Sequence, residues 1–306
     1  MKEISTILII AFNAQNILSR IFYNQFFILL LIFILSSKFC LSNEQKIVSI
    51  GGSITEIIYA LEQGNKIVAR DSTSTYPKET SDIPSIGYMR SLSPEAILST
   101  KTNLILAEEG SGPKTTIDIL ISSSIKIILI SNSYSKEGII NKILTVGETL
   151  KSETKAQKLA EKVEKEMDEI QQKIKSYKGN KKKVLFILST RGGKILAAGK
   201  NTAANAIIEL SGGQNSINNF EGYKILNDEA ILSASPEVVI MMDRGGEHSV
   251  EDEKLFSLPS LKKTPAAKDL SIIRMDGLYM LGFGPRTATA IRDLNKALYG
   301  KSSERK

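Results

Sequence analysis

Three stretches of this 306-residue chain carry residue types that could do chemistry, and each can be weighed on its own residues. Gly51-Gly52-Ser53 follows a β-rich run, as a hydrolytic nucleophile would. A nucleophile elbow needs glycine two positions beyond the serine, where Thr55 stands, and the single histidine, His248, gives a Ser-His-Asp triad little to build on. Gly282-Phe-Gly-Pro-Arg-Thr287 offers the first two glycines of a dinucleotide fingerprint, but the third position is Thr287 and no Walker sequence occurs. His248 sits in the polar run Gly245-Gly-Glu-His-Ser249 and reads as an exposed loop histidine. Zinc and manganese sites gather several histidines and carboxylates, which one histidine does not supply. The sole cysteine is Cys40, close to the N-terminus. These residues point away from catalysis and toward binding, and the chain is not expected to be an enzyme.

The elements that would position a binding site alternate. Ile47–Ile50 is a short apolar run ending at Gly51-Gly52, after which Ser53, with Glu56 three residues on, has the pattern of a capping box opening a helix to Leu61. Lys66–Ala69, Asn103–Ala107 and Lys126–Ile130 read as strands, with helical spacing over Pro94–Leu98 and Thr115–Leu120. Such alternation builds a parallel α/β sheet. From Ile139 to Tyr177 no strand signal occurs, and Leu159, Val163, Met167, Ile170 and Ile174 recur at helical spacing among lysines and glutamates, predicting one long amphipathic helix. A second alternation runs from Val184 to Tyr299. The expected organisation is a leader over 1–42, an N-terminal α/β lobe over 43–138, a linking region with the long helix over 139–178, and a C-terminal α/β lobe over 179–306.

The lobes read as related. Glu95-Ala-Ile-Leu-Ser99 recurs as Glu229-Ala-Ile-Leu-Ser233, each followed at the same distance by a strand. Gly87-Tyr88 lies upstream of the first copy and Gly222-Tyr223 upstream of the second, which makes Tyr88 and Tyr223 quasi-equivalent.

The leader pattern is Lys2 and Arg20 upstream of the apolar run Phe26–Leu35, followed by Ser36, Ser37 and Lys38. That run is shorter than the roughly 20 residues a membrane-spanning helix needs. Cleavage after Ser42 would remove Cys40, and residues ahead of Cys40 are not the small ones of a lipidation site. The mature chain then has no thiol for a disulfide. A formal charge of +7 falls to +5 when Lys2, Arg20 and Lys38 leave with Glu3. The lysines between Lys151 and Lys183 alternate with glutamates, a solvated helix face and not a nucleic-acid stripe.

Ile47–Glu56, Asp71-Ser-Thr-Ser-Thr-Tyr-Pro77, Gly87-Tyr-Met-Arg90, Ala107-Glu-Glu-Gly110 and Leu281-Gly-Phe-Gly-Pro-Arg286 together resemble the periplasmic haem-binding proteins of bacterial haem ABC transporters. The resemblance spans about Lys46 to Leu298, within the wider helix-hinged class that also carries ferric siderophores and cobalamin. It implies a class III binding-protein fold, two Rossmann-like lobes joined by one long helix, holding haem between them for a permease dimer. It further implies Tyr88 as axial ligand of the haem iron and Arg244 as a cation on its oxygen; Arg90 is expected either to face a propionate or to cap the helix region that follows, and Tyr223, as the quasi-equivalent of Tyr88, to line the same site. A hard ferric ion favours anionic oxygen, and a phenol of pKa about 10 must lose its proton to supply it. Some such proteins add a histidine ligand after a Leu-Ser segment, which here reads Leu188-Ser-Thr-Arg-Gly-Gly193 and contains none. Glu95 and Glu229 match the acids that meet permease arginines. The resemblance thus describes an exported, periplasmic, monomeric carrier of haem, with siderophore or cobalamin as the alternative cargo.

Overall fold

β1 (Ile47–Ile50) is buried at every residue, as a strand covered on both faces must be. It enters α1 (Gly52–Ala60) through Gly51, whose φ of +109° is open to glycine. A side chain at Gly51 would also meet Glu108 Cβ at 2.9 Å. The computed structural model describes Gln25, residues 45–243 and residues 251–300. Apart from Gln25 the leader lies outside these residues, as do Cys40, Arg244 and His248.

The first sheet contains β1, β2 (Ile67–Arg70), β3 (Leu104–Glu108) and β4 (Lys126–Ile130), in the order β2-β1-β3-β4 with every pair parallel. α2 (Pro94–Leu98) and α3 (Lys114–Ile121) complete this lobe, at the positions the sequence periodicity predicts. The expected capping box does not form. α1 opens at Gly51 with no side-chain cap, so Ser53 lies inside the first turn, where it bonds Glu108 and Lys142, while Glu56 accepts the backbone N–H of Arg286.

The linking region departs from one long helix. It holds α4 (Lys136–Thr149) and α5 (Glu153–Ser176), separated by a turn in which Lys151 has a φ of +54°. α5 buries Ala156, Ala160, Val163, Met167 and Ile170, spaced four and three residues apart, and packs against α4 on one side.

The second sheet holds β5 (Lys183–Ser189), β6 (Ile195–Ala198), β7 (Gln214–Asn215), β8 (Tyr223–Leu226), β9 (Val238–Asp243) and β10 (Ile272–Asp276), ordered β10-β9-β5-β6-β8, with β7 beside the start of β5. β10, β9, β5 and β7 pair in parallel, while β6 and β8 are antiparallel to their neighbours. This sheet is mixed because the short turn Arg191–Gly193 sends β6 straight back along β5, with no room for a crossover helix. Around it lie α6 (Ala203–Leu210), α7 (Asp228–Ala234), α8 (Asp252–Phe256), α9 (Pro265–Lys268), α10 (Gly277–Leu281) and α11 (Thr287–Tyr299). α11 packs against α5, so one continuous apolar core runs from Ile47 through Val163 and Met167 to Leu298.

Candidate functional site

The strand ends of the first lobe present Gly51 to Ser53 after β1, the loop from Asp71 after β2, Glu108 at the end of β3, and Asn132 and Tyr134 after β4. Polar groups collect at the carboxyl ends of parallel strands because the loops there are free of sheet pairing.

Tyr88 and Arg90 project from a segment pinned by its alternate residues. Ile86 and Met89 are buried. The Ser72 N–H donates to the Gly87 carbonyl at 2.8 Å, and the Gly112 N–H to the Met89 carbonyl at 2.9 Å. Gly87, at φ +93°, turns the chain so that Tyr88 stands 45% exposed. Arg90 Nη1 donates to the Tyr88 hydroxyl oxygen at 3.4 Å, a long contact that places the guanidinium beside the phenol.

Tyr223 of the second lobe faces this pair. Its ionisation is pushed up to about 12, mainly by burial and next by the Tyr134 phenol, with Arg90 and a hydrogen bond to Thr202 opposing and Tyr88 adding a little. The residue as a whole is 36% exposed, and Tyr223 keeps its proton at neutral pH. Tyr134 is likewise raised, by burial first and Glu108 second, against Arg90; its ring packs on Phe283 with centroids 5.1 Å apart. The structure thus brings together Tyr88, Arg90 and Tyr223 from the sequence reading and adds Tyr134, which that reading did not single out.

Beneath the tyrosines lies a buried polar cluster. Lys142, 1% exposed, donates to Ser53 Oγ at 2.9 Å and to Asn132 Oδ1 at 3.2 Å, and stands 3.6 Å from Glu108 Oε2. Ser53 donates to Glu108 at 3.0 Å, and Asn132 donates to the other carboxylate oxygen. Burial lowers the Lys142 pKa, with Glu108 working against it.

A second contact joins the lobes. Arg286, from the turn before α11, donates its backbone N–H to Glu56 Oε1 at 3.1 Å, while its guanidinium lies 3.0 Å from Glu56 Oε2 and 3.5 Å above the Tyr76 ring. The guanidinium is misaligned for a hydrogen bond there, so this approach is an ion pair. Burial raises the Glu56 pKa even against Arg286. Close backbone packing continues alongside, since a side chain at Gly52 would strike Leu278 at 2.5 Å.

Glu95 and Glu229 are exposed at the starts of α2 and α7. The Ser93 hydroxyl donates to Glu95 at 2.6 Å and holds its carboxyl below the usual range.

Two α/β sheets bridged by a helix packed on both, with polar groups gathered between their strand ends, define a two-lobed binding protein of the helix-hinged, class III type. The family model for periplasmic binding proteins matches residues 47–278, and the chain belongs to that family. Among solved structures it is similar to the apo form of periplasmic heme-binding protein RhuT from Roseiflexus sp. RS-1, at 34% identity and a TM-score of 0.80, over 84% of this chain and 98% of that one. Among curated proteins it is 28% identical over 257 residues to the ABC transporter substrate-binding lipoprotein YvrC of Bacillus subtilis strain 168, covering 83% of this chain and 80% of that protein. It is also 24% identical over 258 residues to the vitamin B12-binding protein of Vibrio parahaemolyticus, covering 83% and 90% respectively.

Proposed function

We propose that this chain is an exported carrier that takes haem into the cleft between its lobes and delivers it to an ABC permease dimer in the bacterial inner membrane. The observation that carries the reading is the Arg90 guanidinium on the hydroxyl of an exposed tyrosine, facing a protonated tyrosine from the other lobe. Iron in haem needs an axial ligand from the protein, and an anionic Tyr88 oxygen beside a cation is suited to the ferric ion. Tyr223 closes the site from the opposite side as a donor and an aromatic wall. The similarity to RhuT supports haem over the vitamin B12 carried by the Vibrio parahaemolyticus relative. Arg244, which the resemblance sets against the same oxygen, follows Asp243 directly at the end of β9 in sequence. Export by the leader over 1–42 is consistent with relatives that are periplasmic or lipoproteins.

A ferric haem titration of the mature chain, followed by absorption spectroscopy beside Tyr88→Phe, tests this. Saturable binding with a tyrosinate-type spectrum that the variant loses is the expected result. Failure of the wild-type chain to bind, with saturation by cobalamin or a ferric siderophore instead, would overturn the cargo and leave the binding-protein class standing.

A further inference from the structure

The alternation of lysine with glutamate along α5 ends at Glu169. From Ile170 to Ile208 the sequence holds no aspartate or glutamate, and Lys173, Lys175, Lys178, Lys181, Lys182 and Lys183 fall within eleven residues. Upstream the charges are partnered: Lys162 stands 4.0 Å from Glu166, and Lys136 pairs with Asp168 at 2.8 Å. Among the described residues, none of the six downstream lysines forms an ion pair. Lys173 and Lys175 lie in the last turn of α5, where the helix dipole favours a cation. The other four follow the helix, so the dipole does not account for them.

Folding gathers these charges with two apolar side chains at one end of the second sheet. Lys183 opens β5, which pairs in parallel with β9, and β9 pairs in parallel with β10. The amino ends of the three strands therefore lie together, roughly 5 Å from one to the next. Tyr177, 50% exposed, packs its ring on Tyr299 with centroids 4.7 Å apart, and the Tyr299 hydroxyl accepts the Lys182 N–H at 3.0 Å. Two strands across, Leu270 stands 53% exposed just before β10. Its φ of +45° lies in the left-handed region that favours glycine, so this leucine is presented outward at a cost in backbone strain. Lys268, the last residue of α9, is exposed beside it. The acids at these strand ends are Glu237, which accepts the Lys183 N–H at 2.8 Å, and Asp269, too few to balance the lysines. Single exposed apolar residues are ordinary, but a tyrosine and a leucine set among unpaired lysines have the composition of a surface that lies against lipid headgroups.

We propose that this end of the second lobe binds anionic membrane lipid, the lysine ammonium groups meeting headgroup phosphates while Tyr177 and Leu270 enter the interface between them. The inference goes beyond the cargo and does not depend on which ligand the cleft takes. Each lysine close to an anionic leaflet is worth about fivefold in affinity. The apolar pair adds a hydrophobic contribution that a free phosphate or a soluble polyanion does not draw on. The surface sits at the amino ends of the strands, whereas the carboxyl end of β10 leads into Leu278, which packs against Gly52 of the first lobe. Lipid contact thus leaves the space between the lobes clear, and it confines the carrier to a membrane surface, where a membrane-bound partner is reached by a search in two dimensions.

Co-sedimentation of the mature chain with vesicles of phosphatidylglycerol and phosphatidylcholine in equal parts, beside vesicles of phosphatidylcholine alone, tests this. Binding to the anionic vesicles only, weakening as salt is raised, is expected. The triple variant Lys181→Gln, Lys182→Gln, Lys183→Gln should weaken it about a hundredfold. Tyr177→Ser with Leu270→Ser should weaken it about tenfold at unchanged charge. Urea unfolding of each variant checks that the fold is kept, and Leu270→Ser alone, at a side chain more than half exposed, replaces the pair if losing the Tyr299 contact destabilises the chain. A wild-type chain that ignores the anionic vesicles, or binds phosphatidylcholine equally well, overturns the inference. Binding that the glutamine variant abolishes and the serine variants leave untouched also overturns it, since a surface for soluble polyanions would behave so. A chain that binds the anionic vesicles and no haem refutes the cargo alone; one that binds haem and no vesicles refutes the lipid site alone.

Discussion

Tyr88 and Arg90 stand two positions apart on a segment whose intervening residue, Met89, is buried, so the backbone itself holds a phenol and a cation on one side. The Arg90 to Tyr88 contact at 3.4 Å sets the guanidinium beside the hydroxyl without a tight bond. Tyr223 sits in a more buried setting, and burial pushes its ionisation up. Arg90→Met should weaken ferric haem binding about tenfold, the loss of one charge-assisted hydrogen bond, and leave the tyrosinate-type band in place. Tyr223→Phe should weaken it about fivefold, the worth of a neutral hydrogen bond, again with the band kept. A band lost in Tyr223→Phe and kept in Tyr88→Phe, read by the same titration, would reverse the assignment.

At the scale of elements, the first lobe shows how a buried charge is tolerated. Lys142 lies on α4 at the helical spacing of Ile139, Ile143 and Val146, so its position faces inward although the charge of a lysine favours water. It is held inward by Glu108 at the end of β3, with Ser53 and Asn132 filling the remaining hydrogen bonds. Lys142→Met should destabilise the fold by about 3 kcal/mol, since it strands a carboxylate in the interior. Adding Glu108→Gln should restore a good part of that, because two neutral groups need less compensation; urea unfolding of the single and double variants measures both. A double variant no more stable than the single one would mean that packing around Lys142 matters more than its charge. This cluster was not legible in the sequence, since no periodic signal links a helix lysine to a glutamate 34 positions earlier. Tyr134 escaped for a related reason, its Ser-Asn-Ser-Tyr-Ser surroundings reading as an ordinary loop until β4 places it at a strand end. The strands, α2, α3 and the matching Gly-Tyr and Glu-Ala-Ile-Leu-Ser segments were legible, because local period and repetition fix them. Local signals failed where distant partners intervened: α1 opens at Gly51, leaving Ser53 and Glu56 to meet Lys142, Glu108 and Arg286, and the second sheet became mixed through one short turn.

For the whole molecule, the question is how freely two lobes can move when a helix packs against both and an ion pair crosses between them. α5 contributes to one core shared from Ile47 to Leu298, and Arg286 closes the far side by meeting Glu56 and stacking on Tyr76. Such a connection bends less than a pair of flexible strands would, so cargo should be gripped with little closure. The same contact carries a pH signature. Burial raises the Glu56 pKa above its ordinary 4.5, so the folded chain takes up this proton at a higher pH than the unfolded chain does. A group raised in this way stabilises the fold fully below about 4.5, and that stabilisation is lost as the pH rises through the folded value. Glu56→Gln cannot take up the proton. The stability of the wild-type chain relative to this variant should therefore increase as the pH falls from 7 toward 4.5, and urea unfolding of both proteins across that range measures it. A relative stability that falls instead would show that Arg286 holds the carboxylate ionised and that the inter-lobe contact is a net electrostatic lock. With the expected rise, burial outweighs the pairing, and the lobes are held at neutral pH chiefly by the shared core and by the guanidinium stacked on Tyr76.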